Sequence, residues 1–269
     1  MFNRRMFVII AFSLIVIGVL GAWFTFPTSI TSAPFKVDKV IPGKPIDTIL
    51  FDSTEANLTI VPTDHSDIQL SLRGKGDKFN EKQFVVNTSD STLKVTFQIE
   101  DSKWYDFYTW EQTPSLHVQL PKKIYQSLYI KNHNGSIEVA QQQIKEMNIH
   151  AANGAIIFKQ IEASQIETSS VNGQIQMQNV TGNINGETVN GEIDLALSDL
   201  NRTLTLSSEN GSILVKTKQK PVNNTIHAQT VNGRINLFDQ YTGSAFFGEG
   251  DHRVQLKTTN GSIDVLQEY

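Results

Sequence analysis

Seven Asn-Gly dipeptides at near-regular spacing mark the second half of this 269-residue chain, with an eighth, Asn185-Gly186, outside that spacing, and no other feature constrains the fold as strongly. The seven regular pairs are Asn134-Gly135, Asn153-Gly154, Asn172-Gly173, Asn190-Gly191, Asn210-Gly211, Asn232-Gly233 and Asn260-Gly261, spaced by 19, 19, 18, 20, 22 and 28 residues. Such a period marks a repeat architecture, in which each unit buries its apolar face against its neighbours. The third residue after each Asn is always Ile, from Ile137 to Ile263, and the fifth is Val139, Phe158, Met177, Leu195, Val215, Leu237 or Val265. Six residues before each Asn stands Leu128, Met147, Ile166, Ile184, Leu204, Ile226 or Val254. The positions between are mostly polar, and period-2 alternation on both sides of a corner predicts strands with one buried face.

Asn-Gly between alternating runs is also the strongest short hairpin signal, because both residues tolerate positive φ. Consecutive hairpins would need a second constant turn between repeats, and stretches such as Lys216 to Asn224 supply none. Stacked coils account for the pattern better: equivalent Ile residues form an internal ladder and equivalent Asn residues a ladder at one corner. The expected fold is therefore all-β, a parallel β-solenoid (β-helix) ectodomain of seven regular coils, with one N-terminal transmembrane helix. The last coil, ending at Val265, would be an uncovered edge, which leaves end-to-end homo-oligomerisation open.

Phe7 to Phe26 is a run of 20 residues without a charge, the length of a hydrocarbon span. Arg4 and Arg5 precede it, which predicts a cytoplasmic N-terminus and an extracellular C-terminal region at the cell membrane. The competing reading is a cleaved signal peptide, but the run exceeds the usual apolar region and Pro34 follows the one suitable small-residue site. The expected organisation is a cytoplasmic stub (1–6), the anchor (7–26), a stalk (27–45), a divergent β-rich first half and cap (46–130), and the regular solenoid (131–269).

With no cysteine in the chain, disulfides, thiolate metal sites and cysteine nucleophiles are excluded. Beyond the span, 21 basic against 27 acidic side chains leave no cationic surplus for nucleic acid, and none to steer the region onto acidic lipid headgroups. The six His residues form no metal-binding pattern, and there is no nucleophile elbow, phosphate loop or calcium loop. No cofactor, metal or catalytic residue is expected. Glu187, Glu192 and Asp194 are the one local acidic group that a carbohydrate-active enzyme on a β-helix could use, although outward carboxylates ordinarily serve solubility.

Trp104, Tyr105, Phe107, Tyr108 and Trp110 fall within seven residues and fit no amphipathic strand face. They are either a sticky partner-binding surface, stacking on sugars or on an envelope protein, or a lid over the end of the core. A weaker cluster, Tyr241, Phe246 and Phe247, is expected to pack a loop against the side of the stack.

The order Ala56 to Pro62, the strand end at Leu70 to Gly76, Lys94 to Phe97, and then Leu116 to Val139 leading into Asn-Gly-x-Ile repeats resembles the bacterial putative-adhesin β-strand-repeat family. With a single-pass anchor, the chain is similar to LiaG-like envelope proteins of Gram-positive bacteria. The resemblance covers about residues 40 to 269. It implies a surface β-solenoid that binds without catalysis, with cell-wall glycan or an envelope protein as partner and a link to envelope stress. The family motif carries no catalytic residue. A cell-wall lyase or hydrolase and a structural accessory of a membrane partner are the alternatives.

Overall fold

The computed structural model describes residues 4–25, 33–75, 81–98 and 112–268, and the chain divides after Ala33 into two compact units. In the first unit, Arg4–Thr25 forms one helix, α1. Its described side chains run from Ile10 to Gly21, about 18 Å of helix at 1.5 Å per residue, and are exposed. Among the described residues no helix is long and apolar enough to cross a membrane.

The second unit is nearly all-β, one 19-stranded solenoid-like sheet. Strands β1 (Pro34–Pro42), β2 (Thr48–Glu55), β3 (Asn57–Thr63), β4 (Asp67–Lys75), β5 (Phe84–Ser89), β6 (Thr92–Phe97) and β7 (Gln112–Pro121) make its first half. Then come β8 (Ile124–Asn134) and the long strands β9 (Ile137–Asn153), β10 (Ile156–Asn172) and β11 (Ile175–Asn190), each of which bends around most of one coil. The last part holds β12 (Ile193–Leu197), β13 (Leu204–Asn210), β14 (Ile213–Thr217), β15 (Asn224–Asn232), β16 (Ile235–Leu237), β17 (Ser244–Phe247), β18 (His252–Asn260) and β19 (Ile263–Gln267).

Equivalent residues of successive coils pair in parallel. Ile137 lies beside Ile156, Ile156 beside Ile175, and Ile175 beside Ile193, while Met147, Ile166 and Ile184 align on the wall before the corner. All the apolar columns read from the sequence are buried, Ile235 only partly, and alternate with exposed or half-exposed positions. The face assignment follows from the pleat: a strand with one dry face must alternate, and one slip of register would turn every Ile outward.

At the corner the Asn side chains form an unbroken ladder. The Nδ2 of Asn153, Asn172, Asn190, Asn210, Asn260 and Asn232 donates in turn to the Oδ1 of Asn134, Asn153, Asn172, Asn190, Asn210 and Asn260, at 2.8–2.9 Å. The glycines are there for a different reason from the one that makes Asn-Gly a hairpin signal. Among the seven corner glycines only Gly135 and Gly154 have positive φ. A Cβ on Gly191 would instead run into the carbonyl oxygen of Gly173, and one on Gly211 into that of Gly191. Close backbone stacking excludes a side chain there.

A second polar column supports the corner from inside. The hydroxyls of Thr188, Ser208, Thr258 and Thr230 donate to the carbonyls of Gly173, Gly191, Gly211 and Gly261 at 2.8–3.1 Å, and Asn132 Nδ2 donates to Gly135 O at 2.9 Å. Buried carbonyls thus find partners without a break in the apolar ladder.

The spatial order of coils departs from the sequence order at both ends. Asn260 stands between Asn210 and Asn232, because β18 and β19 insert between the coil of β13 and β14 and the coil of β15 and β16. The C-terminal coil is therefore interior, and the expectation of an uncovered last coil at Val265 is overturned. The rung at that end is β15 with β16. Its edge carries β17 in antiparallel pairing, with Phe247 edge-on to Phe238 and to Tyr241 at 5.8 and 6.0 Å between centroids. Those aromatics cover the end of the stack rather than its side.

The other end mirrors this arrangement. The coil of β2 and β3 pairs on one side with β6 and β7, and on the other with β8 and β9. Glu55 lies in register with Asn134, so Glu55-Ala56 is a corner without the Asn-Gly signature. Among the described residues the stack has nine rungs rather than seven, and it begins at Thr48, inside the stretch expected to be divergent. Strands β4 and β5 pair antiparallel to β7 and β6, and β1 pairs antiparallel to β4, so the expected stalk contributes an edge strand from Pro34 to Pro42. Proline at both ends of that strand and lysines along it are edge protection.

Burial raises the Glu55 carboxyl above its usual range. The folded state therefore favours the protonated acid, and ionisation costs stability as the pH rises through the raised value. Glu55→Gln should stabilise the fold at pH 7, by less than about 1 kcal/mol given solvent screening. The advantage should vanish by pH 4. Urea unfolding at the two pH values measures it, and an equal gain at both would mean that charge burial is not its source.

Candidate functional site

The coils bend a second time between the wall after the corner and a short third side. The bend falls at Pro62 in the β2–β3 coil and at Gln141, Gln160 and Asn179 in the next three rungs. Gln141, Gln160 and Asn179 have φ of 53°, 55° and 53°. Asn tolerates this left-handed conformation, whereas Gln, which lacks Asn's short local hydrogen bond, is held there at a cost of order 1 kcal/mol. The two glutamines pair side by side, Gln141 Nε2 donating to Gln160 Oε1 at 3.0 Å. One step further along, Gln143 Nε2 donates to Glu162 Oε2 at 2.8 Å.

These side chains, with Gln142, Pro62, Lys122 and Lys123, line a cleft of 470 Å³. Gln142 is buried where the next two rungs carry Ile161 and Val180, and its amide is turned back to Ala140 O at 3.1 Å. Lys122 reaches Asp64 at 2.7 Å on the exposed rim. Lys123 donates to the carbonyls of Gly43 and Ile46, sits 5.0 Å from the centre of the Tyr125 ring, and has its ammonium pushed below the usual lysine range by burial. Lys123 thus fixes one wall of the cleft, while the amides of Gln141 and Gln160 and the Glu162 carboxylate offer donors and acceptors along the other. Amide, carboxylate and ammonium groups at the spacing of adjacent strands suit a hydroxyl-rich polymer.

A smaller groove of 320 Å³ crosses the wall after the corner and holds Asp194 and Glu268 with Lys159 and Lys216. Lys216 is 2.9 Å from Glu268, and Lys159 is 2.7 Å from Glu138. A glycosidase acid works from an apolar pocket. Here Glu268 is exposed and held by an ammonium. Of the acidic group read from the sequence, Glu187 lies between Ser169 and Ser207 on one wall and Asp194 between Gln176 and Leu214 on the other. Neither faces a carboxylate in an adjacent rung, and among the described residues no cluster of metal ligands occurs.

The Toastrack DUF4097 family model matches residues 46–181 and again residues 135–266, together most of the chain. The chain belongs to the Toastrack family. Two overlapping matches follow from the repeat, since one profile can align on different sets of rungs. This family fits the β-repeat resemblance. A putative adhesin from Bacteroides fragilis is 13% identical, with a TM-score of 0.49 over 88% of this chain and 100% of its own. A putative cell adhesion protein from Clostridium sporogenes is 11% identical, with a TM-score of 0.42 over 88% and 100%. A putative lipid binding protein from Parabacteroides distasonis is 12% identical, with a TM-score of 0.33 over 88% and 97%. Comparison with curated proteins gives no significant match.

Within this Toastrack fold the seven corner asparagines bond to one another along the stack, and the corner glycines lie backbone against backbone. The segment from Trp104 to Trp110 lies outside the described residues. The described strands on either side of it in the chain are β6, which ends at Phe97, and β7, which begins at Gln112. The cleft residues were not singled out in the sequence. The available signal was the triplet Gln141-Gln142-Gln143, which interrupts strict alternation in the middle of a coil.

Proposed function

We propose that this protein is a non-catalytic binding module held at the outer face of a cell membrane by Phe7 to Phe26, and that its cleft at the second bend binds cell-wall glycan. The observation that carries the reading is the pair Gln141 and Gln160, kept in left-handed backbone geometry where Gly or Asn would be easier. Strain retained at an exposed position points to a side chain kept for what it contacts. The cleft residues project from a rigid stack, so little ordering opposes binding, and successive rungs let weak contacts add along a polymer. Trp104, Tyr108 and Trp110 supply stacking surfaces for the same partner. The uncharged length of the N-terminal run and the resemblance to LiaG-like proteins support an envelope role in a Gram-positive bacterium, linked to envelope stress.

The test compares residues 34–269, a compact unit, with Gln160→Gly and with Trp104→Ala/Tyr108→Ala/Trp110→Ala, for binding to isolated cell wall. Gln160→Gly should leave thermal stability level or slightly higher, because glycine relieves the backbone, yet bind about tenfold more weakly through the lost amide contacts. Equal binding by Gln160→Gly and wild type would overturn the cleft as the site. Loss of binding in the aromatic variant alone would move the site to that segment. Release of glycan fragments by the wild-type protein would replace the binding reading with a hydrolase or lyase, for which the Asp194 and Glu268 groove is the starting point.

A further inference from the structure

The net acidity of the folded unit conceals one cationic face. On the antiparallel pair of β1 and β4, Lys36 lies directly opposite Arg73, and Pro34 opposite Lys75. Residues 34, 36 and 38 share one face of the strand, so Lys36, Arg73 and Lys75 project together from the edge of the sheet where the folded unit begins. They border a cleft of 680 Å³ that is also lined by Phe35, Thr113 and Ser115. The local carboxylate is Asp38, 2.6 Å from Lys36, and the Lys36 ammonium holds that carboxyl below the usual range. Across the sheet, Ser71 and Ser115 are the next neighbours of Asp38 and Arg73, with His117 beside Ser71. Among the described residues of this face, Lys36, Arg73 and Lys75 cluster at one end beside Asp38, and Asp67 stands at the far end of β4.

Two cations directly opposite one another on a strand pair are a destabilising arrangement. Lysines alone would protect an edge strand, but protection does not call for an arginine in the facing position of the neighbouring strand. An anion bound between them would turn the repulsion into attraction. In the reading above the chain is held at a membrane, so headgroup phosphate is an anion of its surroundings that this charge pattern would complement.

We infer that the β1–β4 face docks on anionic phospholipid headgroups, with Lys36 and Arg73 gripping headgroup phosphate and Lys75 at the rim. This inference rests on the membrane-anchored reading for its choice of anion, but its test does not. Residues 34–269, without the apolar run, are mixed with vesicles of phosphatidylglycerol and phosphatidylcholine and with vesicles of phosphatidylcholine alone. The protein should co-sediment with the anionic vesicles and be released by salt. Each neutralised cation near a charged surface weakens binding about fivefold, so Lys36→Ala/Arg73→Ala should bind about 25-fold more weakly. Relief of the opposed charges should keep its melting temperature level or raise it. Asp38→Asn, which removes the local anion, should bind the vesicles more tightly than wild type.

Equal sedimentation of wild type and the double variant would overturn the inference, as would equal binding to both kinds of vesicle. Inorganic phosphate at millimolar concentration that blocks vesicle binding completely would assign the face to free phosphate instead. Membrane fractionation of the full chain reports on the anchor separately: a full chain that washes off at high salt, while the vesicle result holds, overturns the anchor and leaves the face.

Discussion

Removal of residues 252–269 should unfold the protein. In a solenoid whose coils follow sequence order, that deletion trims the last coil and exposes one fresh end. Here β18 and β19 fill a slot between two other coils, and their loss separates β13 and β14 from β15 and β16. Four fully buried side chains go with them, Val254, Leu256, Ile263 and Val265. At about 2 kcal/mol each, that is roughly 8 kcal/mol, comparable to the whole net stability of a typical domain. The ladder is cut as well, since Asn260 both donates to Asn210 and accepts from Asn232. Circular dichroism and limited proteolysis of the truncated chain should show no cooperative melt. A folded product with only a modest drop in melting temperature would mean that the flanking coils can close over the gap.

Ile175→Asp should be the most damaging of the single substitutions considered for the regular stack. Ile175 has no exposed surface and lies between Ile156 and Ile193, so a carboxylate there meets only apolar neighbours on the ladder. An unpaired charge in such a position costs about 3–5 kcal/mol, and burying the neutral acid without a partner is also unfavourable. The adjacent residue provides the control. Gln176 points outward with Ile157 and Asp194 as its neighbours in adjacent rungs, so Gln176→Lys should be within about 0.5 kcal/mol of wild type, with Asp194 available as a counter-charge. Chemical denaturation of both variants tests the pair. A near-neutral Ile175→Asp would require the interior of the stack to be wet.

The contrast between those two neighbours was legible before any coordinates, and so was the ladder of amides at the corner. Alternation with a dry face and a fixed period leaves stacked strands as the economical solution, because each residue's partner is its own equivalent in the next coil. The Glu55-Ala56 corner escaped notice because it keeps the shape of the repeat without its letters. Leu58 and Ile60 take the places of Ile137 and Val139, and only the pairing in space shows the equivalence. The cleft escaped for a different reason. Its glutamines are polar residues in a polar-rich strand, and what singles them out is a φ angle near 55°, which residue type does not report.

The same division holds for the molecule as a whole. The amino-acid sequence by itself determined which residues of the regular repeats face inward, where their seven Asn-Gly corners fall and that asparagine lines those corners, because these depend on local alternation and on identical neighbours. The order of the coils was decided only in three dimensions. Any coil can pair in parallel with any other that shares its register, so sequence similarity among the repeats leaves their stacking order degenerate. The antiparallel strands β1, β4, β5 and β17 cover the outer rungs, and the interior places taken by β2 with β3 and by β18 with β19 exist only once distant segments have met. The cationic face on β1 and β4 has the same origin. Lys36 and Arg73 stand 37 positions apart in the chain, and antiparallel pairing alone puts their charges side by side.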